Sequence, residues 1–345
     1  MSALTGLRMI GFGESPAPQG ELVDNEQVLR RLVERGVDTH GKTGADTERL
    51  VGIRTRWWSK QSSTEHALAA ARRAIEDASF RCDAFSPDQL RLVHSGGSSP
   101  DHVFPASACQ VQGALGIPPE NCEARDISLA CASWLDALLL AASRMRCKGY
   151  RFGLVTAGET IGTRLNAPTS LSHTLWGDGG GAVVLEYDPE MEDGYGWLAD
   201  RAVSDGQYAH WTLSIGLGTH PEHRRAQEPD ASMLDHGKDI HRYVIRTVSA
   251  LIRDLLEEAG LAGETPYLVP HNSNLGMIRQ IGKRLGLPPE RVLSRIVDRG
   301  NTSSASIPIT LAHHAEQGLF KKGDLLVLAA FGGGMSTDIV LYRWP

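Results

Sequence analysis

Short apolar runs recur along the chain, each closed by glycine, proline or a charge, and longer stretches with helical spacing separate them. The runs at 90–94, 152–159 and 325–331 predict strands buried on both faces, and those at 8–13, 180–186, 266–270 and 338–343 predict further strands. Apolar positions three and four apart predict helices over 25–37, 63–77, 105–115, 239–259, 275–285 and 307–317. Ser and Thr beside Glu65 give the second helix a start signal, and Gly260 closes the 239–259 helix. The stretch 195–229 is rich in loop formers and predicts no element. Strands alternating with helices point to an α/β fold around buried sheets. No repeat of solenoid period is present.

One junction stands out chemically. A β-like segment ends at Cys131, and an apolar helical pattern begins right after it. A thiol at a helix N-terminus meets free N–H groups and the positive end of the macrodipole, which favour thiolate and hence a nucleophile. The same design, a strand running into a reactive residue and then a helix, recurs at Pro270-His271-Asn272-Ser273-Asn274. Gly300-Asn301-Thr302-Ser303-Ser304-Ala305-Ser306 places an amide in a turn of small residues, and Phe331-Gly332-Gly333-Gly334 offers bare backbone N–H groups. A cysteine nucleophile needs a polar partner and an oxyanion site, and these segments supply the residue types.

Composition narrows the classes. The 345 residues are 41% hydrophobic and 22% charged, with a net charge of -6, which gives no nucleic-acid footprint. No apolar run is long enough to span a membrane, and the first residues lack the pattern of a secretory leader, so a cytoplasmic protein is expected. The five cysteines, an odd number, are expected to be reduced, with Cys82, Cys109, Cys122 and Cys147 inert. Gly177-Asp-Gly-Gly-Gly181 precedes a strand rather than a helix, so close backbone packing is expected there and not phosphate binding. His220, His223 and the doublet His313-His314 have no third ligand near in sequence, and no metal is expected.

Several ordered motifs together resemble one family. They are Gly52-Ile-Arg-Thr-Arg56, Asp101-His-Val-Phe-Pro105 with Ala108-Cys-Gln110, Ala130-Cys131-Ala132 and Trp176-Gly-Asp-Gly179, followed by the His271, Asn301 and Phe331 segments. Nearly the whole chain is similar to the β-ketoacyl-acyl carrier protein synthase III group of the thiolase superfamily. The resemblance implies a five-layered αβαβα fold of two similar halves (1–187 and 188–345) and a homodimer. It implies a Cys131–His271–Asn301 triad, an oxyanion hole from the N–H groups of Cys131 and Gly333, and no cofactor. Coenzyme A or acyl carrier protein thioesters would be the substrates. Cys131 would take an acyl group, and a malonyl-type extender would lose CO₂ and attack it. The resemblance further implies that Phe104 crosses the dimer interface, that Trp176 lines the acyl pocket beside Phe331, that Asn274 supports the site, and that Arg164 belongs to an adenine sandwich. Departures mark a divergent branch. Asn272-Ser273 stands where the family has Gln-Ala. Asp46 and Leu50 stand where Trp and Arg would hold coenzyme A, and Met335-Ser-Thr-Asp338 stands where the family has Thr-Trp-Gly near the end. The rival reading keeps acyl-Cys131 but passes the acyl group to an alcohol or amine. A non-catalytic partner subunit is disfavoured by the complete triad.

Overall fold

A computed structural model describes residues 6–17, 19–165, 171–191, 194–214, 233–235 and 237–345. The chain opens with β1 (Leu7–Glu14), β2 (Gly20–Asp24), α1 (Asn25–Glu34), α2 (Gly44–Val51), β3 (Thr55–Ser59) and α3 (Ser63–Arg81). It continues through β4 (Leu90–Gly96), α4 (Ser107–Ala114), β5 (Glu123–Ile127), α5 (Ser133–Lys148), β6 (Phe152–Glu159) and β7 (Gly179–Tyr187). Then come β8 (Gly196–Ser204), β9 (Thr212–Ser214), β10 (Met233–Asp235), α6 (Gly237–Glu258), β11 (Tyr267–Pro270) and α7 (Leu275–Arg284). The short α8 (Ile296–Arg299), α9 (Ser306–Glu316), β12 (Leu325–Gly332) and β13 (Ser336–Arg343) complete it.

Two sheets carry the architecture. The first has strand order β1-β7-β6-β4-β5 and the second β11-β12-β13-β8. Helix α3 covers the outer face of the first sheet, α5 and α9 lie between the sheets, and α6 covers the outer face of the second. The stack is therefore α, β, α, β, α, the five layers of the thiolase fold. Core side chains of the middle layer, such as Trp134, Leu138, Ile307 and Leu311, are buried against both sheets.

The layers approach closely because small residues meet there. The face of α3 toward the sheet is Ala67, Ala70, Ala71, Ala74 and Ala78, all buried. Opposite it, a Cβ on Gly180 would stand 2.5 Å from the His66 carbonyl, while one on Gly181 would stand 2.7 Å from the Ile309 nitrogen on the other face. The glycine run in β7 thus packs one strand between two helices. Ser62 starts α3 with a capping box, its hydroxyl accepting from Glu65 N–H while Glu65 accepts from Ser62 N–H.

Several sequence expectations are corrected. The β-like segment stops at Ile127 rather than at Cys131, leaving a tight turn between. The loop-rich stretch that resisted assignment contains β9 and β8, the latter an edge strand whose burial lacks a clean alternation, so it carries no period-two signal. Helix α2 and the β2–β3 pair were not expected. Their short, charge-rich sequences hold together through caps and tertiary contacts, such as Asn25 Nδ2 donating to the carbonyls of Gly44 and Ile53. The His220 and His223 positions lie outside the described residues. Among the described residues no three His, Cys, Asp or Glu side chains cluster as for a metal, and no helix is long and apolar enough to cross a membrane.

Candidate active site

The turn after β5 makes an elbow. Ala130 adopts φ 49°, a left-handed conformation that costs a non-glycine residue on the order of 1 kcal/mol or more. Ser133, first residue of α5, holds it: its hydroxyl donates to the Ala130 carbonyl at 2.6 Å and accepts from Leu129 N–H at 2.7 Å. The elbow presents Cys131 just ahead of α5. Gly332 at the end of β12 packs against it, and a Cβ there would sit 2.9 Å from the Cys131 nitrogen.

His271 follows β11 and extends its ladder, its N–H donating to the Ala329 carbonyl at 2.8 Å. The imidazole is buried, with Phe331 edge-on at 5.1 Å between centroids. Its Nδ1 lies 2.8 Å from Ser306 Oγ. Ser306 has one hydroxyl proton and two acceptors within 2.8 Å, His271 Nδ1 and the Ser303 carbonyl. The Ser303 carbonyl already accepts from Ser306 N–H, so the hydroxyl can turn to Nδ1 without orphaning it. In that arrangement the imidazole proton sits on Nε2.

Asn301 is set by backbone. Its N–H donates to the Leu175 carbonyl at 2.8 Å, and its carbonyl accepts from Gly177 N–H at 3.0 Å. Its Oδ1 accepts from Ser303 N–H at 2.9 Å, which fixes which end of the amide is which. The NH₂ end therefore remains free to donate. Ser303 itself is left-handed, at φ 48°, as is Met335 at φ 53°.

Cys131, His271, Asn301, Trp176, Asn274, Phe331 and Gly333 all border one cavity of about 240 Å³. Three separate segments thus bring the expected triad together. Asn274 borders it but spends its side-chain oxygen capping α7, accepting from the N–H groups of Gly276 and Met277. Phe104 is not part of this cavity. It stands 83% exposed on the surface, next to Val103 at 82%. The Arg164 side chain lies outside the described residues.

Electrostatics revise the expectation of a resting thiolate. Burial pushes the Cys131 thiol up to about 11, the hydrogen bond from Ser303 working against it and the charge of Glu159 adding to it. Desolvation outweighs the helix terminus here, so sulfur is protonated at rest. Burial also holds His271 down to about 3, leaving the imidazole neutral. Three site residues had escaped the sequence reading. Ser303 donates to Cys131 Sγ at 3.3 Å, Ser306 addresses the histidine, and buried Glu159 closes β6 nearby. Glu159 had a signal, an acid ending an otherwise apolar run.

A five-layered stack with Cys131, His271 and Asn301 bordering one cavity defines a protein of the thiolase fold. Family models agree: residues 125–206 match 3-oxoacyl-[acyl-carrier-protein] synthase III, and residues 256–344 match the C-terminal part of the same enzyme. The β-ketoacyl-[acyl-carrier-protein] synthase III of Rhizorhabdus wittichii is 32% identical over 328 residues, 94% of this chain and 97% of that protein. The chain belongs to the β-ketoacyl-acyl carrier protein synthase III family. Among solved structures, the Aquifex aeolicus synthase III aligns at a TM-score of 0.84 with 29% identity, covering 98% of this chain and all of that one. The priming β-ketosynthase of the R1128 polyketide pathway aligns at 0.84 with 28% identity, covering 98% and 96%.

Proposed function

We propose that the protein condenses an acyl group held on Cys131 with a malonyl-type thioester, releasing CO₂ and a β-ketoacyl thioester. The observation that carries this reading is the Asn301 amide, whose NH₂ end is left to the cavity because Oδ1 accepts from Ser303 N–H. Asn301 Nδ2 is freed for substrate because Oδ1 is tied to Ser303, and neutral His271 can present Nε2–H beside it. Two neutral donors on one thioester carbonyl stabilise the enolate left when a carboxylate departs as CO₂. A neutral imidazole serves better than a cation, which would protonate the enolate carbon. The N–H groups of Cys131 and Gly333 take the oxyanion formed when Cys131 is acylated, and again when the enolate attacks.

The donor of the acyl group is read as a carrier-protein thioester. Asp46 is occupied in the capping box of α2, and Leu50 stands 62% exposed, so neither offers the ring or cation that coenzyme A would need. A hollow of about 520 Å³ beside the cavity, sharing His241 with it, is lined by Arg246 and Arg284 and by Arg242 paired with Asp239, a net positive lining that suits an acidic partner. Phe104 and Val103 are read as the dimer surface, and the enzyme as cytoplasmic, in fatty-acid-like or polyketide biosynthesis.

A second reading follows from the other position of the Ser306 hydroxyl. Turned to the Ser303 carbonyl, it leaves the proton on Nδ1 and a lone pair on Nε2, a base for an alcohol or amine acceptor. The experiment that separates them supplies a panel of acyl thioesters with malonyl-acyl carrier protein or with alcohols and amines. Intact mass is read at Cys131, together with CO₂ and product. An acyl mass absent from Cys131→Ala, with CO₂ and a new C–C bond, supports condensation. Acyl esters or amides without CO₂ would replace it with transfer.

A further inference from the structure

Strand β3 sends two side chains from one face, Arg56 and Trp58, to the segment that leads into the cavity wall. Trp58 Nε1 donates to the Trp176 carbonyl at 3.2 Å. Arg56 Nη2 donates to the Thr174 carbonyl at 2.5 Å and to Asn25 Oδ1 at 2.7 Å. Arg56 is wholly buried, and among the described residues its Nε and Nη1 have no hydrogen-bond partner. Burial draws the guanidinium down to about 10, the charge of Asp24 working against it, so it stays a cation at neutral pH. An unpaired buried cation is costly, and an apolar side chain of like volume would fill the same space at lower cost. The arginine adds what an apolar side chain lacks, a charge-assisted bond aimed at one carbonyl.

That carbonyl belongs to the residue before Leu175, whose own carbonyl accepts from Asn301 N–H at 2.8 Å. The arginine stem lies against two glycines of the same place. A Cβ on Gly177 would stand 3.1 Å from Arg56 Cβ, and one on Gly300 would stand 3.0 Å from it. Gly177 follows Trp176, and Gly300 precedes Asn301. Arg56 therefore holds this pairing at its tip and along its stem, yet it does not border the cavity. The far end of the hold is anchored, since Asn25 Nδ2 donates to the carbonyls of Gly44 and Ile53.

We propose that Arg56 is a positioning residue for the Asn301 amide, fixing through the Thr174 carbonyl and the two glycines the place from which that amide meets the extender. A donor displaced by a fraction of an ångström weakens most when charge develops on the oxygen it addresses. The effect falls on turnover rather than on binding. Acylation of Cys131 is spared, because a separate elbow carries the sulfur.

This inference rests on Asn301 as the amide that addresses a malonyl thioester. Decarboxylation of malonyl-acyl carrier protein is measured for the full-length parent, Arg56→Gln, Arg56→Lys, Asn301→Ala and the double variants. Arg56→Gln should lower kcat roughly tenfold or more and leave KM within about twofold, with Cys131 loading by acyl thioesters unchanged in intact mass. Arg56→Lys keeps a cation within reach of the Thr174 carbonyl and should recover part of that loss. In the Asn301→Ala background, either change at Arg56 should alter kcat by less than about twofold, because the amide it acts through is gone. Amide exchange read by mass should quicken at 175–177 and 301 in both Arg56 variants and stay as in the parent in β6 and β12. If Arg56→Gln does not fold, Arg56→Lys carries the same comparison with a smaller loss. Equal losses of decarboxylation and Cys131 loading, a loss undiminished in the Asn301→Ala background, or faster exchange throughout the chain would each overturn the proposal, as would an unchanged kcat. No CO₂ from the parent would overturn the condensation reading instead, while exchange still decides whether Arg56 holds Asn301.

Discussion

Asp338 stands in β13, 1% exposed, and its Oδ2 has no hydrogen-bond partner among the described residues. Burial pushes its carboxyl up to about 7 from 3.8, with the charge of Asp136 adding to the shift. Three pKa units at 1.36 kcal/mol each amount to about 4 kcal/mol. The sign follows from proton counts. Below pH 3.8 both folded and unfolded chains carry the proton, and Asp338 contributes no penalty. As pH rises, the unfolded chain ionises first while the folded chain holds its proton. Stability is therefore lost progressively until about pH 7, and the loss is complete above it. Asp338→Asn keeps the shape and removes the ionisation. Its NH₂ adds a buried donor, a cost of about 1–3 kcal/mol that does not change with pH. The measured quantity is the stability difference between variant and parent by urea titration, at fixed protomer concentration, from pH 4 to pH 8. It should swing in favour of the variant by about 3–4 kcal/mol across that range. A swing under about 1 kcal/mol would mean that the carboxyl ionises without hindrance, and the argument from burial would fail.

Asn301→Ala should lower CO₂ release from malonyl thioesters by roughly 10²–10³-fold, the usual loss of one oxyanion-type donor, while mass loading of Cys131 persists. Because His271 is held down to about 3, the rate of malonyl decarboxylation should show no imidazole inflection between pH 5 and 8. The same depression means that the stability contributed by neutral His271 is full above pH 6.5 and lost as pH falls toward 3, which acid unfolding of His271→Asn would expose as a shallower pH dependence. Gly332→Ala must displace the Cys131 elbow, since its Cβ would meet the Cys131 nitrogen at 2.9 Å, and alkylation of Cys131 should slow at least tenfold in a folded protein. Light scattering should report a dimer, and Phe104→Glu should shift it toward monomer; a monomeric parent would remove Phe104 from any shared surface.

Strands built from unbroken apolar runs, such as β6 and β12, were legible in sequence because burial on both faces leaves no other pattern. The capping box at Ser62 and Glu65 was equally readable. Strand β8 was not, because an edge strand half open to solvent has no strict alternation. At the site, Cys131, His271 and Asn301 could be named from their local turns, and the structure brings them to one cavity. Their protonation could not be read. A helix N-terminus is a local feature visible in sequence, whereas the desolvation that outweighs it comes from distant segments packing over the sulfur. Ser306 and Ser303 escaped for the same reason, since each acquires meaning only from a partner far along the chain.

Trp176 and Asn301 form an isolated backbone bridge, flanked by the bonds from Asn301 N–H to Leu175 and from Gly177 N–H to Asn301. The wall of the cavity and the Asn301 amide at its edge are thus one mechanical piece. A lineage that reshaped the cavity at position 176 to admit a different acyl chain would move the amide as well, trading turnover for range. Ile240, Val244 and Met277 border the same cavity from α6 and α7, which carry none of the triad. Diversification of chain length is expected to concentrate on those helices, and libraries for altering acyl preference are best built there.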